Sequence, residues 1–152
     1  MKQILSTLTL IAFTTVAFAQ GKSFETDAIR KVITTMFDGM RKGDSTMVKS
    51  AFAPGVVMQT IVSRDGITRV RTDSAQGFLK AVGTPHTEVW DERVTFDQIS
   101  VDASLASVWT SYKFYLGDKF SHCGVNSFQL VKLNEGWKII HLIDTRRKED
   151  CN

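Results

Sequence analysis

The order of the predicted elements constrains this chain more than any single motif does. Residues 26–42 predict an amphipathic helix, because apolar side chains recur there at the spacing of one helical face. The last third of the chain is a continuous β signal that ends in GWKIIHLIDTRRKEDC. Helices followed by consecutive antiparallel strands predict a curved sheet wrapped around helices, with a cone-shaped pocket at its open end.

Shorter elements are predicted between these two regions. Ser23 or Thr26 is expected to cap the first helix, and a second helix is expected to carry its apolar side as far as Phe52 and to stop at Pro54-Gly55. An Asp-Gly pair at 65–66 predicts a tight hairpin, and a third short helix follows Ser74. The strands are predicted at 56–62, 67–71, 86–101, 106–116, 119–133 and 137–146.

The N-terminus has the features of a secretory signal peptide. Lys2 precedes an apolar stretch at 4–18, and Ala17-Phe18-Ala19 matches a cleavage signal. This predicts a signal peptide at 1–19 and one domain at 20–152, exported to the periplasm or secreted, with no membrane attachment after cleavage. An uncleaved anchor is the alternative, although the stretch is short for a bilayer.

Charge and motifs exclude several function classes. The net charge is +3, and the cations are dispersed among acids except at Arg146-Arg147-Lys148, which acids follow at once. A nucleic-acid surface would need a coherent basic face, which this sequence does not show, so no nucleic-acid partner is expected. The chain has no phosphate-binding loop and no dinucleotide motif, so no cofactor is expected. His86, His122 and His141 fall on different predicted strands without spaced partners, so no metal site is expected.

The two cysteines, Cys123 and Cys151, allow one intramolecular disulfide. An exported protein would meet conditions that permit it. The alternative is two free thiols, one buried and one in the C-terminal tail.

The element order and three segments resemble the nuclear transport factor 2-like superfamily. The segments are RKGDSTMVKSAFAP, VWTSYKFYLGDKFSHCGVNSFQLVK and GWKIIHLIDTRR. Within that superfamily the chain is similar to the SnoaL-like and putative lumazine-binding branch of exported bacterial proteins. The resemblance implies an α+β, cystatin-like, cone-shaped roll with N-terminal helices on a curved, mainly antiparallel sheet. It implies no single activity, since such relatives include isomerases, dehydratases, cyclases and transport factors.

Strand alternation indicates which side chains face the pocket. A two-residue turn at Gly117-Asp118 would place Trp109 on the same face as His122. A one-residue bulge would instead place Tyr112 and Phe114 there, and we prefer that register.

Three residues are candidates for catalysis. His122 on an apolar inner face is suited to act as a general base, or is a buried histidine satisfied by internal hydrogen bonds. Asp144 interrupts an apolar strand, either as an acid at the pocket or as a partner of Arg146 or Arg147. Tyr112 would polarise a carbonyl with its phenol, or pack in the core.

The ligand-binding candidates are Trp90, Tyr112, His122 and Asn126. They favour a domain that binds a small apolar or aromatic molecule. An isomerase or dehydratase that needs no cofactor, and an interaction module with a filled cavity, are the alternatives.

The last strand is apolar on both predicted faces, with Trp137, Ile139 and Ile143 opposite Ile140 and Leu142. One of these faces lies outside the sheet and needs cover. A homodimer through the outer sheet face is therefore expected.

Overall fold

A computed structural model describes the backbone of residues 5–151 and the side chains of residues 24–151. The helices are α1 (Leu5–Lys42), α2 (Ser45–Ser50) and α3 (Ala75–Gly83). The strands are β1 (Phe52–Arg64), β2 (Ile67–Asp73), β3 (Trp90–Asp102), β4 (Leu105–Leu116), β5 (Lys119–Leu133) and β6 (Gly136–Thr145).

All six strands form one sheet in the order β2-β1-β6-β5-β4-β3. Neighbouring strands are antiparallel except for β1 and β6, which run parallel. The helices lie on one face of this sheet, and the core forms between them and the strands. The predicted α+β class, with N-terminal helices on a curved and mainly antiparallel sheet, is confirmed.

Helix α1 supplies the centre of the core. Ile29, Ile33 and Met36 are almost completely buried, and Phe37 packs edge-on against Phe128 of β5 at 6.2 Å between ring centroids. Gly39 allows α2 to approach closely, because a Cβ there would lie 2.7 Å from a methyl carbon of Val48. The apolar stripe predicted for residues 26–42 is therefore the face that packs on the sheet.

The predicted start of α1 and end of α2 are wrong. Helix α1 is continuous from Leu5, so neither Ser23 nor Thr26 begins it. Helix α2 ends at Ser50 because the next residues already join the sheet: the amide of Ile139 donates to the carbonyl of Ala51 at 2.9 Å. Pro54 and Gly55 lie inside β1, where the pairing with β6 is irregular.

The hairpin between β1 and β2 is confirmed. Asp65 and Gly66 both have positive φ angles, 53° and 73°, as a tight two-residue hairpin turn requires. Ser74 caps α3 by accepting a hydrogen bond from the Gly77 amide at 3.2 Å. Strand β3 begins at Trp90 and not at the predicted position 86.

A bulge sets the register between β4 and β5. Tyr115 pairs with Phe120, whereas Phe114 pairs with His122, so Ser121 is the extra residue. The preferred register is confirmed, and Tyr112, Phe114 and His122 face the inside of the cone.

A second bulge corrects the predicted faces of β6. Leu130 pairs with Ile139 and Gln129 pairs with His141, so Ile140 is the extra residue. Alternation restarts after Ile140, and this brings Leu142 and then Asp144 to the same face as Trp137 and Ile139. The predicted grouping of Ile143 with Trp137 is wrong for this reason.

The C-terminal tail folds back onto β5. Cys123 and Cys151 form a disulfide with 5.7 Å between their Cα atoms. Cys123 also pairs through its backbone with Arg147. The disulfide thus anchors the segment that immediately follows Asp144 and Arg146.

The predicted signal peptide at 1–19 lies outside the residues whose side chains are described. No helix in the described part of the chain combines the length and apolar character of a membrane span.

Candidate functional site

A cavity of about 670 Å³ opens between the concave face of the sheet, α1 and α3. Met36, Phe37 and Met40 of α1 form one wall. Exposed lining residues, among them Arg71 and Glu88, lie at its mouth. The cone is therefore open and is not filled by its own side chains.

Aromatic side chains form much of the sheet wall of the cavity. Trp90 is half-buried and its ring stacks on that of His86 at 4.6 Å between centroids. One indole face is therefore covered by the His86 ring, and the side chain also lines the cavity. Phe114 follows on the neighbouring strand.

A group of polar side chains, here called the polar floor, lies deeper in the cavity. It consists of Thr60, Glu92, Tyr112, Asn126, Asp144 and Arg146. Five strands and the segment after β6 contribute to it, so it exists only in the folded sheet.

Asp144 is the member of the polar floor whose carboxylate is held by hydrogen bonds from three side chains. It accepts hydrogen bonds from the Thr60 hydroxyl at 2.6 Å, from Arg146 Nε at 2.8 Å and from the Tyr112 hydroxyl at 3.3 Å. The carboxylate is buried and forms an ion pair with Arg146. This geometry matches the ion-pair interpretation, with Arg146 and not Arg147 as the partner.

Tyr112 has its hydroxyl committed to the protein. The hydroxyl donates to the backbone carbonyl of Thr145 at 2.8 Å as well as to Asp144. Burial first, and then the charges of Asp144 and Glu92, raise the pKa of this phenol. Gly124 makes room for the ring, since a Cβ there would lie 2.7 Å from Tyr112 Cε1. Tyr112 therefore presents its ring, more than its hydroxyl proton, to the cavity.

Glu92 is the residue that the sequence interpretation missed. It accepts a hydrogen bond from Asn126 Nδ2 at 2.8 Å, and Asn126 also donates to the Thr110 hydroxyl at 3.3 Å. Burial first, and then the negative charge of Asp144, raise the pKa of Glu92 to about 7, against the opposing effects of Asn126 and Arg146. Glu92 thus exchanges its proton near neutral pH.

His122 lies beside the aromatic wall. Its ring meets Tyr112 at 5.7 Å and Phe114 at 5.0 Å between centroids, and its Nδ1 lies 3.1 Å from the Ser121 hydroxyl. Burial first, and then the positive charge of Arg146, lower the pKa of His122. The ring is therefore neutral at pH 7 and still reaches the cavity.

The structure brings all of the predicted pocket residues to one cavity: Trp90, Tyr112, His122, Asn126 and Asp144. The two remaining histidines lie elsewhere, with His86 on Trp90 and His141 hydrogen-bonded to Gln59. Among the described residues, no three side chains of the metal-binding types form a cluster.

A family model described as "Putative lumazine-binding" matches residues 24–142, which is most of the chain. The chain belongs to this family. A search of curated proteins found none that matches it.

Solved structures of other proteins have the same fold. An NTF2-like protein of unknown function from Shewanella baltica OS155 is 18% identical, with 84% of this chain and 97% of that chain covered and a TM-score of 0.64. An NTF2-like protein with a cystatin-like fold from Novosphingobium aromaticivorans is 9% identical, with 90% and 91% covered and a TM-score of 0.68. A protein described as a putative dehydratase of the NTF2-like family from Streptomyces avermitilis is 17% identical, with 82% and 97% covered and a TM-score of 0.61. At these identities the likeness shows an NTF2-like fold.

Proposed function

We propose that this protein is a small-molecule-binding domain whose cone holds one compact apolar or aromatic ligand. The observation that carries this proposal is the cavity of about 670 Å³, with an apolar wall and a few convergent polar groups. Ligand sites in proteins have typical volumes of about 300–1,000 Å³ and this kind of lining. The description of the family as lumazine-binding supports the same function.

The lining indicates how such a ligand would be held. The rings of Trp90 and Phe114 line the cavity and offer flat apolar surface. His122 would orient the ligand through its ring nitrogens, since it reaches the cavity. Asn126 would act through its side-chain oxygen, because its Nδ2 already donates to Glu92 and Thr110. The aromatic ring of Tyr112 adds to the wall.

Native mass spectrometry of the protein purified gently from its own host tests this function. We expect a species that carries a small additional mass, and we expect that mass to be lost in an Ala81→Trp variant. Ala81 lines the cavity, so an indole at this position would occupy ligand space. Lys80→Trp on the same helix is the matched control, because Lys80 is exposed and does not line the cavity. A bare species, with no small molecule raising the melting temperature, would favour an interaction module instead.

A second candidate function is acid–base catalysis of the isomerase or dehydratase type. The observation that favours it is the position of Glu92, which lines the cavity and whose burial raises its pKa to about 7. Glu92 would transfer the proton, and neutral His122 would be the second proton-transfer group. The fold neighbour described as a putative dehydratase is consistent with this chemistry.

Deuterium incorporation tests the catalytic candidate. Wild-type protein in D₂O with a panel of unsaturated cyclic ketones should exchange acidic C–H protons, as read by NMR. Glu92→Gln should abolish the exchange and keep binding. Exchange that persists in Glu92→Gln would remove Glu92 from this role.

Export and dimerisation extend the proposal. The signal-like segment at 1–19 supports export to the periplasm or beyond the cell, and fractionation of the host with sequencing of the mature N-terminus tests it. Trp109 and Leu105 are each 50% exposed on the outer face of β4, which supports a homodimer through that face. Sedimentation should show a dimer that Trp109→Lys dissociates. Val70→Lys on edge strand β2 is the control, since Val70 is similarly exposed.

A further inference from the structure

The cavity has a charge of opposite sign to the protein as a whole. The chain carries a formal net charge of +3, whereas the cavity lining contains four acids and two arginines. The acids are Asp73, Glu88, Glu92 and Asp144. Folding has thus concentrated negative charge in the cavity of a protein whose net charge is positive, and this charge attracts cations.

The pairing of these charges leaves two carboxylates over. Arg71 forms an ion pair with Asp73 at 3.0 Å, and Arg146 forms one with Asp144 at 2.8 Å. Within the described residues, Glu88 and Glu92 form no ion pair with any cation. The excess negative charge of the cavity therefore lies at these two glutamates.

These glutamates flank the aromatic wall. Glu92 lies two residues after Trp90 on the same strand face, and Phe114 is its cross-strand neighbour on β4. Glu88 is at the mouth, two residues before Trp90. Aromatic rings beside a carboxylate form a surface that suits a positively charged group, because the ring face and the carboxylate both attract it.

We propose that the cavity is selective for organic cations, namely molecules with a flat apolar body and a protonated amine that Glu92 receives. This inference rests on the proposed binding function and names its ligand class. Glu92 uses one carboxylate oxygen, Oε1, for the Asn126 hydrogen bond. Within the described residues the other oxygen accepts no side-chain hydrogen bond, so it is available for the ammonium group.

The charge of Glu92 determines whether the cavity prefers a cation, because the other groups around it contribute no net charge. Asp144 and Arg146 of the polar floor neutralise each other. The pKa of His122 is lowered and that of Tyr112 is raised, so both are neutral at pH 7. A bound cation would lower the pKa of Glu92 and release its proton. Affinity should therefore rise with pH up to about 8, whereas a carbonyl ligand that accepts from protonated Glu92 would show the opposite slope.

Three probes with the same naphthalene body test the inference: 1-naphthylmethylamine, 1-naphthylmethanol and 1-naphthoate. Titration calorimetry on wild-type protein at pH 8 should give the amine a Kd at least about tenfold below that of the alcohol, as expected for a hydrogen bond to a charged group. The acid should bind most weakly. Glu92→Gln should remove the advantage of the amine and leave the alcohol within about twofold. Glu88→Gln, the control at the mouth, should reduce the advantage much less.

The outcomes separate the two proposals. Alcohol that binds wild type as well as the amine does would overturn the cation class and leave the binding function standing. No binding by any of the probes would overturn both. An amine preference that survives in folded Glu92→Gln would also overturn the inference. If that variant does not fold, the sign of the pH slope for the amine in wild type decides, and an affinity that falls from pH 5 to pH 8 contradicts the proposal.

Discussion

Two carboxylates of the same cavity, Asp144 and Glu92, have opposite surroundings. Asp144 accepts hydrogen bonds from three side chains, one of them the guanidinium of Arg146. Glu92 accepts one side-chain hydrogen bond, from Asn126, and its pKa is raised to about 7. A buried carboxylate is stable as an anion when enough donors surround it, and is held partly protonated when they do not.

This difference separates a structural acid from one that is available for function. Asp144 ties β1, β4 and the end of β6 together through its partners, so its oxygen atoms are already used. Glu92 keeps one oxygen without a side-chain partner in the described part of the chain, and its proton exchanges near neutral pH. Environments that drive two neighbouring acids apart in pKa are typical of sites where the two acids have different roles.

Asp144→Ala should produce the largest effect on stability. The substitution leaves the Thr60 hydroxyl and the Arg146 guanidinium without this acceptor in a buried place. The Tyr112 hydroxyl keeps only the Thr145 carbonyl as its acceptor. We expect the free energy of unfolding to fall by about 3 kcal/mol. This is less than for a fully buried ion pair, because Arg146 is partly exposed. Urea denaturation at pH 7 measures it. A loss below about 1 kcal/mol would contradict the structural role of Asp144.

Glu92→Gln should stabilise the folded protein, in contrast to Asp144→Ala, and should do so only above acidic pH. The pKa of Glu92 in the folded state, about 7, lies above the ordinary glutamate pKa of 4.5. The folded state therefore binds the proton more tightly, so the wild type is most stable with respect to this group below pH 4.5 and loses that stability as pH rises towards 7. Glutamine carries no charge and avoids this loss.

The size of the Glu92→Gln effect is about 2 kcal/mol of stabilisation at pH 8, with almost none at pH 4.5, after an allowance for the partial exposure of Glu92. Thermal unfolding of the variant and of wild type across this pH range tests it. The control is Asp97→Asn on the same strand, because Asp97 is exposed. A stabilisation that does not vary with pH would mean that the ionisation of Glu92 is not its cause.

Sequence alternation predicted one part of this site and failed for another. It placed Tyr112, Phe114 and His122 on one face once a bulge was allowed near Gly117, and the structure has that bulge. It misplaced the faces of β6, because the bulge at Ile140 depends on cross-strand pairing with β5 and no glycine or proline marks it. A β-branched residue in a bulge gives no local signal.

The sequence pattern was sufficient to predict Glu92 as a pocket residue, although it was not sufficient to predict its hydrogen-bond partners. Trp90, Glu92, Val94 and Phe96 alternate on one face of β3, so an acid interrupts an apolar stripe there as Asp144 does on β6. The contact from Asn126 was not predictable, since Asn126 belongs to β5 and reaches past β4 to meet Glu92. Pairing across two strands is a property of sheet curvature, which residue patterns describe only in outline.

Tyr112→Phe should have the smallest effect on stability, and it tests the difference between Asp144 and Glu92 most directly. The change removes the hydrogen bonds to Thr145 and Asp144 and keeps the ring that lines the cavity. Because the hydroxyl serves the Asp144 side of the polar floor, the variant should lose about 1 kcal/mol of stability and keep its ligand affinity within about twofold. Denaturation and calorimetry on the same preparation measure both quantities. A loss of affinity without a loss of stability would show that the phenol contacts the ligand, and the division between a committed Asp144 side and an available Glu92 would then be wrong at this residue.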